Sequence, residues 1–276
     1  MEFNKEQAQK FWNYATEKIG QKSEINLEDK QICKDDIKES IRRAFRDLTV
    51  RTMTKRDDAT TYCLDDLAEK CDELLTQIEN WFGEKPSQDK FDEWHKKTCK
   101  WVVSFLEKYY IGKDCTIGKA QKVVNMSFKN LYALCCTKGI EESYKDYFKF
   151  CHLPLDSFIL EWFYRQCKNS GEKITKGKIC SWSAIDEYGD ENVNEYTAPD
   201  NKIFYTYYYF QKLFRKWFAV TLTPLQAEFM IWPTIQKELA AEGFLFSLKE
   251  DIDSKEKEKI KRLSLDDKIS KIKKLL

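Results

Sequence analysis

The chain has 276 residues, and its 47 Lys and Arg against 46 Asp and Glu leave a formal net charge of +1. This length can bury a sizeable core in one large domain or two lobes, while near-neutrality argues against a tight, non-specific coat for nucleic acid. Nine glycines and five prolines punctuate the chain too rarely for an all-β fold and suit long helices.

Residues 4–20 read as a helix ending at Gly20, with Ala8, Phe11, Trp12 and Ala15 on its apolar face. A polar link leads to about Cys33. Residues 35–53 space Ile37, Ile41, Ala44, Phe45 and Leu48 for a second helix. This segment is dense in arginine (Arg42, Arg43, Arg46, Arg51). Those cations either touch phosphate or pair with Asp35, Asp36 and Glu39, and pairing is the expectation. Leu64, Leu67, Cys71, Leu74, Leu75 and Ile78 predict a core helix over 63–83, which Pro86 and Ser87 close off. Phe91, Trp94, Thr98, Trp101, Val102 and Phe105 predict another over 91–110.

The loop IGKDCTIGK follows. Gly112 to Gly118 is either a hairpin aiming backbone amides at phosphate or an ordinary connection. Next, GKAQKVVNMSFKNLYALCC places Ala120, Val123, Val124, Ser127, Leu131 and Leu134 on one buried face. Lys119, Lys122, Asn125, Met126 and Lys129 fall on the neighbouring stripe. With Lys113, these lysines form either a local basic patch or a solvated face. Gly118 stands where the chain turns into this helix, with its amides expected to be free for an anion. A loop and short helix lead to HLPLDSFILEWF, where Asp156 is positioned to cap a helix and stay fixed in space.

Residues 168–180 are polar and lysine-rich, and 181–201 are acidic and irregular. There Trp182, Ser183 and Asp186 either cap the next helix, which is the expectation, or Trp182 lines a pocket. The aromatic run at 202–220 keeps helical spacing through Phe204, Tyr207, Tyr208, Gln211, Phe214, Arg215 and Phe218. PLQAEFMIWPTIQKELAAEG is a helix bent at Pro233. Residues 251–276 predict a charged surface helix or tail. The N-terminus lacks the layout of a signal peptide and no apolar run is long enough for a membrane span, so a cytoplasmic protein is expected; a monomer is the expected state. Ten cysteines without paired metal spacing and only two histidines, His95 and His152, point to free thiols and no metal site.

AQKVVNMSFKNLY followed by PLDSFIL resembles the helix-hairpin-helix DNA glycosylase superfamily, most closely its archaeal 8-oxoguanine glycosylase branch. In that branch a glutamine–lysine pair opens an apolar helix and a P-x-D step follows about thirty residues later. A second match, TPLQAEFMIW, lies downstream; the resemblance covers about 118–236. It implies an all-α, two-lobed fold. Lobe A comprises about 1–90 with part of the C-terminal region, lobe B about 91–200, within one domain over 1–250. It further implies a nucleophilic lysine at Lys122, an assisting aspartate at Asp156, and contacts to the damaged base from Trp232 and Glu228. The family carries aspartate at the position of Glu228. Gly112, Lys113, Gly118, Lys119 and Lys129 would meet the DNA backbone, although the usual G-x-G hairpin core is absent.

Such an enzyme needs no cofactor. Its partner is duplex DNA with a modified purine flipped out of the stack, and it works through a lysine Schiff base followed by elimination at an abasic site. The alternative is a catalytically silent DNA-binding or protein-interaction module on the same fold, with defence as one such role. A cysteine nucleophile is poorly supported, because Cys151 and His152 are adjacent and point apart on an extended segment.

Overall fold

The computed structural model describes residues 3–19, 25–48, 53–57, 67, 69–218, 222–247 and 254–275. The protein is mostly helical over these residues. In chain order the helices are α1 (Lys5–Ile19), α2 (Lys34–Asp47), α3 (Asp72–Trp81), α4 (Gln88–Leu106), α5 (Ile117–Lys138), α6 (Glu141–Phe148) and α7 (Ser157–Ser170). A two-stranded hairpin, β1 (Glu195–Thr197) and β2 (Ile203–Tyr205), precedes α8 (Tyr207–Phe218), α9 (Pro224–Ser247), α10 (Ser254–Lys261) and α11 (Leu265–Leu275).

Helix α5 is the axis. Thr116 caps its N-terminus by accepting from the Lys119 amide at 3.3 Å, and Gly139, in the left-handed region at φ 72°, ends it. Every residue from Ile117 to Cys136 is buried, so the lysine stripe is not a solvated face. Helices α1, α2 and α4 pack around α5, and one apolar cluster runs from Ala8 to Ile231. A polar group in such a place costs free energy unless it is paired. Accordingly Lys138 at the C-terminal end of α5 meets Asp36 of α2 at 2.6 Å, with both side chains 1% exposed.

Arginines of α2 pair as expected: Arg42 and Arg43 both reach Glu39, and the Arg43 guanidinium lies 3.4 Å above the Trp12 ring. Asp36, by contrast, serves Lys138 and the Cys33 amide. Within the stretch expected as a helix over 63–83, Leu67 and Glu69 are helical, Lys70 is a turn and Cys71 is the N-cap of α3; residues 58–66 and 68 lie outside the described set. The end expected at Gly20 lies outside the described residues, and the helix expected through Met53 stops at Asp47, with Leu48 as its C-cap.

The aromatic run at 202–220 is corrected at its start. Ile203–Tyr205 pairs antiparallel with Glu195–Thr197, and the helix begins only at Tyr207. Pro199-Asp200-Asn201, with Asn201 left-handed at φ 63°, makes the turn. Helical spacing and strand alternation cannot be separated over so few residues, and the acidic stretch before the run supplies the partner strand. Pro233 lies inside α9, and the charged C-terminus forms two short helices. Among the described residues no helix is long and apolar enough to cross a membrane.

Gly118 has a steric role at the start of α5. A Cβ there would stand 1.7 Å from the Trp182 carbonyl oxygen, and the Gly118 amide donates to Ile185 at 2.8 Å. The close approach docks the 182–185 turn against α5. Gly118→Ala is therefore expected to destabilise the protein by about 1–3 kcal/mol through overpacking, read as a lower denaturation midpoint, whereas Gly177→Ala, with open space around it, should leave the midpoint near wild type.

Candidate active site

Two buried glutamines set the geometry. The extended segment 151–156 crosses α5 and α8 without secondary structure of its own. Gln211 of α8 accepts from the Leu153 amide at 3.0 Å and donates to its carbonyl at 2.8 Å. Gln121 of α5 does the same to Leu155, at 3.1 and 3.0 Å. Pro154 between them has no amide to satisfy. Each glutamine thus imitates a strand partner and fixes the chain just before Asp156.

Asp156 then caps α7. Its Oδ1 accepts from the Ile159 amide at 2.9 Å, while Oδ2 accepts from Lys122 Nζ at 3.0 Å and from the Trp232 indole N–H at 3.1 Å. Lys122 follows Gln121 directly, so the helix that clamps the segment also delivers the amine. The pair stands 34 residues apart in sequence. Burial pushes the Asp156 carboxyl up, but Lys122, the Ile159 amide and Lys129 outweigh it, and its pKa lies below the usual carboxylate value.

Two turns along α5 from Lys122, Lys129 meets Glu228 of α9. Nζ lies 2.7 Å from Oε1 and 2.5 Å from Oε2. The ammonium also stands over the rings of Phe11 at 4.2 Å, Phe229 at 5.2 Å and Trp232 at 6.0 Å. Burial raises the Glu228 pKa, and Lys129 offsets this only in part. Glu228 and Trp232 are four residues apart on α9 and therefore share a face. Lys122, Lys129, Asp156, Glu228 and Trp232 line one cavity of about 740 Å³, together with Arg43, Arg46, Phe158, Trp182 and Gln236. Trp232 meets Phe158 edge-on at 5.3 Å.

Of the residues expected from sequence, Lys122, Asp156, Trp232 and Glu228 come together. Lys129 joins them as the partner of Glu228, buried at 4% exposure, and so is not on an outer surface for DNA backbone. Gly118 and Lys119 are corrected too. The Gly118 amide is spent on Ile185, and the Lys119 ammonium, 3% exposed, donates to the Asp114 carbonyl at 2.6 Å. Gly112 and Lys113 are exposed on a single 3-10 turn, Gly112–Asp114. Trp182 lines the cavity, the reading set second to capping.

A polar chain behind the site went unread in the sequence. Asn125 donates to Gln121 and to the Tyr207 hydroxyl, both at 2.9 Å. Tyr207 donates to His152 Nδ1 at 2.9 Å, and His152 Nε2 donates to Asp92 at 2.7 Å. Arg215 closes the chain on Asp92 at 2.8 Å. His95 donates through Nε2 to the Asn125 carbonyl at 2.7 Å and accepts from Tyr188 at 2.8 Å. Each tautomer follows from its neighbours' donors. Burial holds both histidines below their usual pKa, so both are neutral at pH 7. The one available signal was Gln121 and Asn125 at i, i+4 on a helix otherwise read for lysines.

Burial drives the Cys151 thiol well above its usual pKa, which leaves it inert as a nucleophile. Among the described residues no group of His, Cys, Asp and Glu is arranged to hold a metal. No protein-family model, curated protein or solved structure matches the chain.

Removing one partner of a buried pair leaves an uncompensated charge, at a cost of about 3–5 kcal/mol. Lys129→Met is expected to lose stability on that scale at pH 7. Because the Glu228 pKa is already raised in the fold, the folded state binds its proton more readily than the unfolded chain, and stability falls as pH rises. The Lys129→Met deficit should therefore shrink when unfolding is measured toward pH 5; a deficit independent of pH would remove Glu228 as its source.

Proposed function

We propose that this protein is a DNA glycosylase with AP-lyase activity, acting on an oxidised or otherwise modified purine of the 8-oxoguanine type. The observation that carries this reading is the Lys122 amine, 3.0 Å from a fixed carboxylate, at the wall of a cavity of about 740 Å³ that also contains Trp232. Support also comes from the order and spacing of AQKVVNMSFKNLY, PLDSFIL and TPLQAEFMIW, which resemble the helix-hairpin-helix glycosylases. The two-lobed architecture of that family belongs to the same proposal.

The chemistry follows from the geometry. A target base must leave the stack before its glycosidic carbon can be reached. Asp156 remains ionised at neutral pH, and its Oδ2 faces the positive charge that develops on the sugar as the base departs. The proton that Lys122 must lose before attack is the proton the departing purine must gain, and Asp156 relays it. The new bond is Lys122 Nζ to C1′, and the broken bond gives its electron pair to the base nitrogen. Ring opening then yields the imine, with the ring oxygen taking a proton. Loss of a C2′ proton expels the 3′ phosphate.

Trp232 presents a ring face for stacking, and Glu228 and Lys129 offer an acceptor and a donor to the base edge. A carboxylate suits a purine with an additional ring N–H, as 8-oxoguanine has at N7. The test is a single-turnover panel of duplexes, each with one modified base. Wild type is expected to cleave at least one. Lys122→Ala should abolish strand cleavage, and Asp156→Asn should slow excision by about 10²–10⁴-fold while still binding DNA. Normal turnover by Asp156→Asn, or no cleavage of any duplex by wild type, would contradict the reading.

A further inference from the structure

The cavity at Asp156 does not end there. A hollow of about 350 Å³ shares Ser157 and Trp182 with it. Another, of about 850 Å³, shares Glu161, Tyr164 and Lys176 with that hollow and reaches Lys261 and Arg262 at the C-terminal end of α10. The three follow one side of α7 in order, from the helix cap at Asp156 toward its C-terminal end. No sequence motif marked this track, and α10 has no part in the candidate chemistry.

The far hollow is lined by five cations (Arg165, Lys168, Lys176, Lys261, Arg262) against three carboxylates (Glu161, Glu238, Glu258). Those carboxylates are already engaged. Glu161 and Glu238 bind Arg165 at 2.9 and 3.0 Å, and Glu258 lies between Lys168 at 3.6 Å and Lys261 at 3.5 Å. Lys176 and Arg262 have no carboxylate partner among the described residues and are exposed. The local surplus is positive in a chain whose net charge is only +1.

Aromatic rings alternate with these cations. Trp182 stands at the first junction between hollows and Tyr164 at the second, and Trp162 lines the last. Lys168 and Lys176 lie 4.7 and 4.8 Å from the Tyr164 ring centroid. Trp162 already stacks on Phe214 and Phe218, and Tyr164 carries the two ammonium groups. The ring that suits a base is therefore Trp182 at the head of the track, while beyond it the cations displace counterions from a phosphate backbone. An acidic peptide would use the cations but has no link to a nucleotide held at Asp156, from whose cavity the track leads.

We infer that this groove along α7 binds the single strand of nucleic acid flanking the nucleotide held at Asp156. The inference rests on the DNA reading of that site. From Ser157 to Lys168 the helix rises about 17 Å at 1.5 Å per residue, which corresponds to about five nucleotides at 3.4 Å each. The contacts lie on one side of the target only, because the track leaves the cavity in one direction.

The test uses single-stranded oligonucleotides with a tetrahydrofuran abasic analogue and either two or eight nucleotides on its 5′ or its 3′ side. Wild type is expected to gain at least about tenfold in affinity when one flank is lengthened and little when the other is. In Lys168→Gln/Lys176→Gln/Arg262→Gln, whose fold is checked by circular dichroism, that gain disappears. The slope of log affinity against log salt falls by about 2, at about 0.7 per single-strand phosphate contact. A variant with the wild-type length gain and slope overturns the groove. Excision by wild type without any length gain also overturns the groove alone. Wild type that neither binds these oligonucleotides nor excises any base overturns the DNA reading and the groove with it.

Discussion

The carboxylate of Asp156 is where the forces of this fold meet. One oxygen caps a helix through the Ile159 amide, and the other takes an ammonium and an indole N–H at once. A carboxylate in bulk water would be indifferent to such neighbours. Inside the protein, where charge is weakly screened, the same contacts orient Lys122, Trp232 and the start of α7 relative to one another. The three elements that bear the site (α5, α7 and α9) are thus tied at one atom group, and its position is decided by Gln121 and Gln211 gripping the peptide before it.

The grip is continuous with the buried polar chain through Asn125, Tyr207, His152 and Asp92. Every link has its donor and acceptor assigned, and Arg215 holds the Asp92 end. Such a network stiffens a core only when it is complete, since an orphaned group at 0–1% exposure is costly. With His95 and His152 neutral, the chain carries no mobile charge near pH 7. Its physical effect is to hold the extended segment 151–156 without help from a sheet or helix, leaving the cavity beside Lys122 open.

The sequence revealed the helices wherever apolar spacing was sustained. Helix α5 was readable from Ala120 through Leu134, and α7 from its aspartate cap and the apolar residues after it. It misled where polar side chains turned inward. Lys119, Lys122 and Lys129 fall on a stripe that looks solvated, yet burial of a lysine depends on a partner elsewhere in the chain, and Glu228 is 99 residues away. Periodicity has no access to such pairing. Gly118 looked like an anion site because glycine at a helix start frees an amide; its actual use is the approach of Trp182, a tertiary fact. Residues 203–205 looked helical because three residues cannot declare a period, and the partner strand lay within an acidic stretch with no strand signal of its own. The convergence of Lys122, Asp156, Glu228 and Trp232 was legible only through a resemblance to a family pattern.

The central claim is that the amine of Lys122 forms the bond to the sugar. Borohydride reduction of the protein with a duplex carrying its modified base, followed by proteolysis and mass spectrometry, reads that bond directly. The claim predicts a reduced adduct on the tryptic peptide containing Lys122, absent when Asp156→Asn protein is used for the same brief time. An adduct on another lysine, or strand cleavage with no adduct at all, would contradict it.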